Sequence, residues 1–565
     1  MSLPSPRLAA GSIAATAGLV AAITLVSRGV GLSRWVVFSD SVGATCLGTV
    51  YATANQVPNV LYEAAAGGAL AAVAVPLISA YLHQGKEREA DQSASALLTW
   101  ALLLLIPLSL AVIVLADPLA VLLLGASTQC SADETHAVAA LMLLIFAPQI
   151  VLYGVGVVLT GVLQAHRRFV AAAVAPLLSS LVVIGTYLIY GATFDPSVPL
   201  DQAPRSGIVL LAAGTTAGVA ALSLPLLWPT LKTGIRLRPA LRFPDGTAAL
   251  ARALAVAGLI AVVGQQVVVV VVVLLSNRVE TGTINVYTYT QTAYLLPYAL
   301  LAVPVATVAF PRFTDPLRRS ATLRSTTGGV LLASILGVAA LLLVRREVGA
   351  VFLGLDAGSA GPGQAALLAL PAGLAAYAPG LLGFSVAAVL SRALYAGGSP
   401  MRAAGAISIG WLVAGVLPIV WFNSTDVDSP QALLVLLGLS SSLGMSITAL
   451  MLSRAVRSTW DVAPFGGAHR TALAAGLAGA AVVVAREILA RADLLPGIEQ
   501  GPWGAVLTAA LLSLVLVTAV ALAVWAVDRA ALMAVVNAIR RRPEATPTQQ
   551  QTPTQQQTPT SGDQR

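Results

Sequence analysis

Residues 27–43 read SRGVGLSRWVVFSDSVG and residues 51–81 read YATANQVPNVLYEAAAGGALAAVAVPLISAY, two apolar stretches interrupted by charged side chains. The interrupting charges include Arg28, Arg34 and Glu63. A charge inside a membrane-spanning helix is costly, and such residues usually mark a site. The sequence therefore predicts a functional site in this part of a membrane protein.

The composition is that of a membrane protein, because 57% of the 565 residues are hydrophobic and only 10% are charged, against about 25% charged in soluble domains. A helix needs about 20 apolar residues to cross a bilayer. Continuous Ala/Val/Leu/Gly runs without alternation favour helices over a barrel. We predict an all-α polytopic membrane protein with fourteen transmembrane helices, the first an uncleaved helix rather than a signal peptide. The predicted spans are residues 12–38, 45–82, 94–115, 137–163, 169–190, 207–230, 248–275, 284–310, 327–344, 364–395, 402–421, 431–452, 471–489 and 504–527.

The Lys and Arg residues are distributed unevenly between the two sides of these spans. We count 24 of the 32 in segments on the side of the N-terminus, Arg392 among them, and six in loops on the other side, among them Arg345, Arg346 and Arg486. Basic residues are retained in the cytoplasm. The bias predicts a multi-pass protein of the cytoplasmic membrane with both termini cytoplasmic, and it explains the net charge of +8 without nucleic acid.

Two cysteines and four scattered histidines exclude a metal or redox framework. Cys46 and Cys130 both fall on the outward side of the predicted topology, which leaves two interpretations. One is a disulfide joining the first and third connections, and the other, which we favour from sequence, is a pair of free thiols. The repetitive tail that begins at Pro543 predicts a disordered cytoplasmic extension.

A weak internal repeat suggests duplication. Shifting the chain by 235 residues places TANQ (53–56) on TYTQ (288–291) and Pro76 on Pro311. Transporters are often built from such repeats. We expect two six-helix lobes, residues 1–240 and 241–460, followed by a terminal helix pair in 461–535 and the tail in 536–565.

Motifs along the whole membrane region carry a family resemblance. They are Ser27-Arg28-x-x-Gly31-x-x-Arg34, Val57-Pro58-Asn59-Val60-Leu61, GVLQAHRRF at 161–169, and Arg392-Ala393-Leu394-Tyr395-Ala396 with Pro400. In this order they resemble the MurJ/MviN family of lipid II flippases, within the multidrug/oligosaccharidyl-lipid/polysaccharide exporter superfamily.

The resemblance implies two lobes around a central cavity that opens alternately to either side, with a groove for a polyprenyl tail beside the last two helices. It implies a transporter of peptidoglycan biosynthesis rather than an enzyme, working without a metal or cofactor. The implied partners are a polyprenyl-diphosphate-linked glycan (lipid II), membrane lipids and, as candidates, cell-wall synthesis proteins. Cationic cavity residues would receive the diphosphate and sugar headgroup.

Several positions depart from the family pattern. Tyr62 and Glu63 stand where a basic pair is usual, Thr49 replaces an acid, and Gly67-Gly68 replaces a Glu-Gly pair. Thr292 and Gln291 stand where the eighth span carries an arginine preceded by an acid. Of the cationic cluster only Arg28 and Arg34 are left, so headgroup recognition is weaker, differently distributed or lost.

The candidate site centres on Arg28 and Arg34, which six residues of helix place about 120° apart. An alternative is that they pair with Glu63 or Asp40 and only hold the first two helices together, and we favour an ion-pair role for Glu63. The full candidate binding set is Arg28, Arg34, Asn55, Gln56, Asn59, Glu63, Gln266 and Gln291, with hinges at Gly29, Gly31, Pro58 and Pro297. Each lone Asn or Gln has the alternative role of an interhelical hydrogen bond.

Ion coupling has little support, because spans 248–275 and 402–421 contain no Asp, Glu or Asn. We expect transport to be driven by membrane potential or by product removal outside. A flippase for another polyprenyl-diphosphate-linked glycan, a drug exporter of the same superfamily and a non-transporting membrane scaffold remain the alternative functions.

Overall fold

The computed structural model describes residues 6–64, 70–125, 130–309, 319–492 and 501–529, with 313, 317 and 533 as single residues. Gly67, Gly68 and the tail 536–565 lie outside the described residues. The first half contains α1 (Pro6–Ser41), α2 (Cys46–Tyr62), α3 (Ala71–His83), α4 (Glu87–Val114), α5 (Ala116–Leu124), α6 (Ala132–Ala165), α7 (Phe169–Thr193), α8 (Arg205–Ser223) and α9 (Leu227–Leu231). The second half contains α10 (Ala248–Ser276), α11 (Thr283–Pro297), α12 (Val303–Ala309), α13 (Arg319–Leu355), α14 (Gln364–Tyr377), α15 (Gly380–Ala396), α16 (Pro400–Ser424), α17 (Pro430–Trp460), α18 (His469–Arg491) and α19 (Gly501–Val527).

The chain is an all-helical multi-pass membrane protein. Within the described residues, ten helices are long and apolar enough to span a bilayer, or eleven if α14 and α15, bent by 49°, count as one span. Predicted spans 45–82 and 284–310 are each divided between shorter helices, so neither counts as one continuous helix.

Helix breaks occur at equivalent positions in the two halves. After α2 the backbone becomes π-helical at Glu63, and after α11 it is π-helical over Tyr298–Ala302. The shift of 235 residues maps Glu63 onto Tyr298. The second break directly follows Pro297. Proline disrupts helical hydrogen bonding because it has no backbone N–H. In contrast, α1 passes through Gly29 and Gly31 without a break.

Glycines allow close helix pairing where bulky side chains would hold the helices apart. A Cβ atom on Gly444 of α17 would collide with the carbonyl oxygen of Gly410 on α16. Small residues at such crossings allow the backbones to approach, which is a main source of helix association in lipid. In the first half, the rings of Phe38, Tyr51 and Tyr187 pack together with centroids 5.2–6.1 Å apart.

One end of the helix bundle is held by a disulfide, and we call it the disulfide end. Gly43, with φ +67°, reverses the chain between α1 and α2, and Cys46 then lies 6.1 Å in Cα–Cα distance from Cys130. The two residues form a disulfide. Our preference for free thiols was therefore wrong. The two cysteines are 84 positions apart in the sequence, which gives no local signal of pairing, and the fold brings their Cα atoms within the usual disulfide range.

Candidate functional site

A cavity of about 120 Å³ lies among α1, α2, α6, α7, α8 and α11. Most of its lining side chains carry a polar atom. The polar lining residues are Arg34, Tyr51, Asn55, Gln56, Asn59, Tyr153, Ser179, Tyr187, Thr215 and Thr288. Four of the eight predicted binding residues (Arg34, Asn55, Gln56 and Asn59) therefore lie together in one cavity.

Arg34 supplies the positive charge of this cavity. Its side chain is half-buried, and its Nε atom is buried without a hydrogen-bond partner. The Oδ1 atom of Asn55 in the same cavity also lacks a partner. Buried polar atoms are normally paired, so the cavity offers one donor and one acceptor to a ligand or to water.

Within the described residues, Arg28 and Arg34 of α1 have no carboxylate partner. Among the residues that the structure describes, ion pairs do not involve Arg28, Arg34, Asp40 or Glu63. The alternative in which either arginine only pins α1 to α2 through an acid is therefore not the observed arrangement. An unpaired guanidinium in a membrane protein interior favours an anionic partner.

Hydroxyl groups hold the wall of the cavity in place. The Oη atom of Tyr51 lies 2.8 Å from Oη of Tyr187 and 2.7 Å from Oγ1 of Thr215. On the other side, the Tyr153 hydroxyl donates to Oδ1 of Asn59 at 3.2 Å. These bonds link four helices around Arg34 and keep the cavity preorganised.

A second cavity, of about 430 Å³, adjoins the first and holds Glu63 with Tyr62, Thr160 and Gln164. Glu63 is exposed to this space. The Tyr62 ring stacks on Tyr153 with centroids 4.3 Å apart, so the two cavities share this aromatic pair as a wall. The structure thus keeps Glu63 near the site but on the other side of that wall from Arg34.

The other two predicted glutamines, Gln266 and Gln291, lie outside this cavity. Gln266 is buried in α10 and is not part of the cavity lining. Gln291 hydrogen-bonds with Tyr287 on its own helix and Tyr377 on α14. That arrangement is the interhelical role that we considered as the alternative.

Arg392 is a functional candidate that sequence reasoning missed. We counted it in a cytoplasmic segment, but α15 continues four residues beyond it to Ala396, so it lies within a helix. Its side chain is half-buried and lies within hydrogen-bonding reach of Tyr298. Arg28 acts electrostatically on the same tyrosine. Arg392 is therefore a half-buried cation of the helix bundle, in addition to the half-buried Arg34 and the exposed Arg28.

Three other arginines were also misplaced by the sequence analysis. Arg345 and Arg346 lie in α13, which extends beyond the predicted span 327–344, and Arg486 lies in α18, inside the predicted span 471–489, although we counted it with a loop. Arg345 and Arg346 donate to Glu487 at 2.7 and 2.6 Å, and Arg486 pairs with the buried Glu347. These pairs fasten α18 to α13, and the sequence signal for them was the Arg-Arg-Glu run at 345–347.

Asp356, just after α13, joins three segments of the chain at the disulfide end. Its Oδ1 accepts from the backbone N–H of Ala44 at 2.7 Å and of Gly358 at 2.8 Å. Its Oδ2 accepts from the Ser39 hydroxyl at 2.6 Å and the Tyr289 hydroxyl at 2.9 Å. We call this group the Asp356 latch, because it joins the α1–α2 turn to α11 and to the α13–α14 connection.

Burial shapes the electrostatics of the latch. Asp356 is only 3% exposed. Burial raises the pKa of its carboxyl group, and the hydrogen bonds from Ser39, Ala44, Gly358 and Tyr289 oppose that rise. Nearby, the Gly282 N–H donates to Oγ1 of Thr49 at 2.8 Å, so Thr49 contributes a second contact across the same junction.

Comparison with known proteins identifies the family. The family model described as "MurJ: Lipid II flippase MurJ" matches residues 38–514. The chain is 26% identical over 297 residues to a lipid II flippase MurJ of Burkholderia cenocepacia, covering 52% of this chain and 55% of that protein. It is 25% identical over 395 residues to a probable lipid II flippase MurJ of Vibrio cholerae serotype O1, covering 67% and 71% respectively. The match spans about half the length of the first of these relatives.

Among solved structures, a lipid II flippase MurJ in an inward closed conformation superimposes with a TM-score of 0.68. The identity is 19%, and the match covers 88% of this chain and 98% of that chain. This likeness shows the fold, and the family model covers most of the sequence. The chain is a distant member of the MurJ lipid II flippase family, a family of transporters rather than enzymes.

Proposed function

We propose that this protein flips lipid II, the lipid-linked peptidoglycan precursor, across the cytoplasmic membrane by alternating access. The observation that carries the proposal is Arg34, a cation without a carboxylate partner in the described chain, in a polar cavity where its Nε and the Asn55 Oδ1 are unpaired. A diphosphate-sugar headgroup cannot cross hydrocarbon unaided. The planar guanidinium fork suits phosphate oxygens. Membership of the MurJ family supports the same function.

We further propose a topology of fourteen spans with both termini cytoplasmic, so that the disulfide end faces outward. Two six-helix lobes, residues 1–240 and 241–460, surround a central cavity, and the pair α18–α19 within 461–535 borders a groove for the polyprenyl tail. The distribution of Lys and Arg supports the orientation. The equivalent helix breaks at Glu63 and Tyr298 support the duplicated lobes.

Within this proposal, Arg28 and Arg34 receive phosphate oxygens while Asn55, Gln56 and Asn59 hydrogen-bond to sugar hydroxyls. Pro58 and Pro297 serve as hinges next to the π-helical breaks. Movement is driven by the membrane potential or by removal of product outside. A transport rate that depends on sodium in proteoliposomes would contradict this form of energy coupling.

The test is rescue of a flippase-depleted strain by plasmid-borne wild type, Arg28→Ala, Arg34→Ala and the matched control Arg402→Ala. Arg402 is exposed at the start of α16. We expect the wild type and the control to restore growth and both cavity variants to fail at equal expression in the membrane. Full rescue by both cavity variants would remove the site assignment.

A flippase for another polyprenyl-diphosphate-linked glycan is the second candidate, favoured by the acidic Glu63 in the adjoining cavity. A flipping assay with purified protein in proteoliposomes and labelled lipid II distinguishes the two candidate functions. The second candidate requires that a different glycan lipid is flipped and that lipid II is not. Failure to rescue together with stable capture of cell-wall synthesis proteins would instead indicate a non-transporting scaffold.

A further inference from the structure

The cavity that holds Glu63, which we call the Glu63 cavity, continues the Arg34 cavity along the same four helices, α2, α6, α7 and α8. On each of these helices, the residues lining the Glu63 cavity lie further from the disulfide end than those lining the Arg34 cavity. The volume of the Glu63 cavity is about 430 Å³, within the usual range of about 300–1,000 Å³ for ligand sites. The Arg34 cavity, at about 120 Å³, is smaller, so a headgroup that contacts Arg34 must extend into neighbouring space.

A polar stripe on α2 connects the two cavities. Asn55, Asn59 and Glu63 follow one another at intervals of four residues, which places them on one face of the helix, about 6 Å apart along its axis. Asn55 and Asn59 line the Arg34 cavity, and Glu63 lines the next one. The backbone N–H of Glu63 donates to the carbonyl oxygen of Asn59, which keeps this spacing helical. A ligand that reaches Asn59 is therefore one helical turn from the Glu63 carboxylate.

Glu63 brings a negative charge to the Glu63 cavity. Its side chain is exposed to that space. Among the described residues, the acids that form ion pairs are Glu347 and Glu487, and Glu63 is not one of them. The described lining of the cavity contains no Lys, Arg or His. A carboxylate inside a membrane protein favours a cationic partner, and here that partner must come from a ligand.

The rest of the lining indicates which cation fits. Thr160 and Gln164, one turn apart on α6, add a hydroxyl and an amide oxygen as acceptors. An ammonium group has three donors, and the alkyl chain that carries it packs on apolar surface. A bound metal ion would need several oxygen ligands, and the described chain contains no group of three or more His, Cys, Asp or Glu side chains that could hold one. The apolar part of the lining is Val75, Val157, Ala172, Ala175, Pro176 and Leu222.

We propose that the Glu63 cavity is a subsite for a primary alkylammonium group on the headgroup of the lipid-linked substrate. This inference rests on the proposed function and names one chemical group of its substrate. The ammonium donates a charge-assisted hydrogen bond to the Glu63 carboxylate and further hydrogen bonds to Thr160 and Gln164. The subsite therefore selects glycan lipids that carry a free amine over those in which the amine is acylated.

The experiment measures binding of two forms of one probe to the full chain in phosphatidylcholine nanodiscs, by calorimetric titration. The probe is lipid II with a lysine side chain in its peptide, either with the ε-amino group free or with that group acetylated, which removes its charge. Wild type is compared with Glu63→Gln, Glu63→Asp and the control Glu87→Gln. Glu87 is exposed at the start of α4 and lines neither cavity.

We expect wild type to bind the free amine about threefold to tenfold more tightly than the acetylated form. Glu63→Gln should abolish this preference, Glu63→Asp should keep part of it, and the control should keep all of it. Because the preference is a ratio measured within one variant, a smaller folded fraction does not imitate its loss.

A charge-reversed pair supplies a second measurement. Succinylation of the same ε-amino group replaces the ammonium with a carboxylate. Glu63→Lys should bind the succinylated probe more tightly than the free amine, and wild type should show the opposite order. A damaged cavity would lose affinity for both forms and would not exchange their order.

Each other outcome overturns the inference in a distinguishable way. If wild type binds both forms equally and still rescues the depleted strain, the subsite is wrong and the proposed function stands. If Glu63→Gln weakens both forms by the same factor, Glu63 shapes the cavity without binding an ammonium group, and the subsite is wrong. If phosphatidylethanolamine in the nanodisc removes the preference, the cavity binds the amine of a lipid headgroup and the assignment is wrong. If wild type binds neither form and also fails to rescue, both the subsite and the proposed function are wrong.

Discussion

Removing the Asp356 carboxylate should release the disulfide end of the bundle. Four donors converge on this one side chain: the hydroxyls of Ser39 and Tyr289 and the N–H groups of Ala44 and Gly358. Asp356→Ala leaves all four without their acceptor. At about 1–2 kcal/mol for each donor stranded in a buried place, the closed arrangement loses roughly 4–8 kcal/mol.

Two smaller changes in the Asp356 latch should destabilise the closed arrangement less. In Asp356→Asn, the amide oxygen still accepts from the two N–H groups, and the new NH₂ group can donate to the two hydroxyls, which can rotate to accept. Because burial disfavours the charge that Asn lacks, we expect a cost of only about 1–2 kcal/mol. Tyr289→Phe removes one of the four donors and should cost about 1 kcal/mol.

The assay is the distance between spin labels on Ser197→Cys and Thr425→Cys, which are exposed positions in the α7–α8 and α16–α17 connections. The native cysteines are joined in the disulfide and do not take up label. A loss of about 4 kcal/mol changes the ratio of closed to open molecules roughly a thousandfold. Asp356→Ala should therefore show a longer distance than wild type, Asp356→Asn an intermediate population, and the exposed control Asp117→Ala the wild-type distance.

The reasoning fails if Asp356→Ala gives the wild-type distance and a thermal midpoint equal to that of Asp117→Ala. In that case the remaining contacts, such as the Gly282 N–H to Thr49 and the Ala357 N–H to the Ser39 carbonyl, would close this end without the carboxylate. A lower midpoint with an unchanged distance would also contradict the latch, because it would make Asp356 a determinant of folding alone.

Three further predictions concern stability in detergent. Cys46→Ser, or reduction of the wild type, opens a cross-link between residues 84 positions apart and should cost about 4–5 kcal/mol; equal thermal midpoints with and without reductant would contradict this. Glu347→Leu leaves the buried Arg486 with only its longer ion pair, 3.5 Å from Glu487, and should cost about 3–5 kcal/mol, whereas Glu347→Leu with Arg486→Met should recover most of that loss; a double variant no more stable than the single one would refute the pairing argument. Gly444→Leu should separate α16 from α17 and cost about 1–3 kcal/mol or more, while the control Gly476→Leu, which has open space around it, should be near neutral, and equal effects of the two would argue against close packing there.

The parts of the fold that follow local rules could be predicted from the sequence. Apolar runs of spanning length predicted the long helices. The bent pair α14–α15 corresponds to one predicted span, 364–395. The cavity contains Asn55, Gln56 and Asn59 because these residues share one face of one helix. It also contains Arg34, because α1 and α2 are neighbours in the sequence.

Contacts between distant segments could not be predicted in the same way. Asp356 stands in a connection where a solvated acid is ordinary, and only the folded chain brings it to Ser39, 317 positions away. Arg392 lies four residues before the end of α15. A charged residue in the last turn of a helix is hard to distinguish from a loop residue in the sequence, because hydropathy changes gradually at a helix end. The disulfide and the pairing of Arg486 with Glu347 depend on the same long-range folding.

The Asp356 latch and the Arg34 cavity differ in chemistry, and that difference determines which of them a substrate can influence. The latch satisfies four donors with a protein carboxylate, so its contacts form without a ligand. Arg34 lacks a carboxylate partner among the described residues, and its Nε atom is buried without a hydrogen-bond partner. A ligand shifts a conformational equilibrium only by its difference in affinity for the two states. We therefore expect a bound anion to favour the state in which it contacts Arg34, and to act on the latch only through that shift.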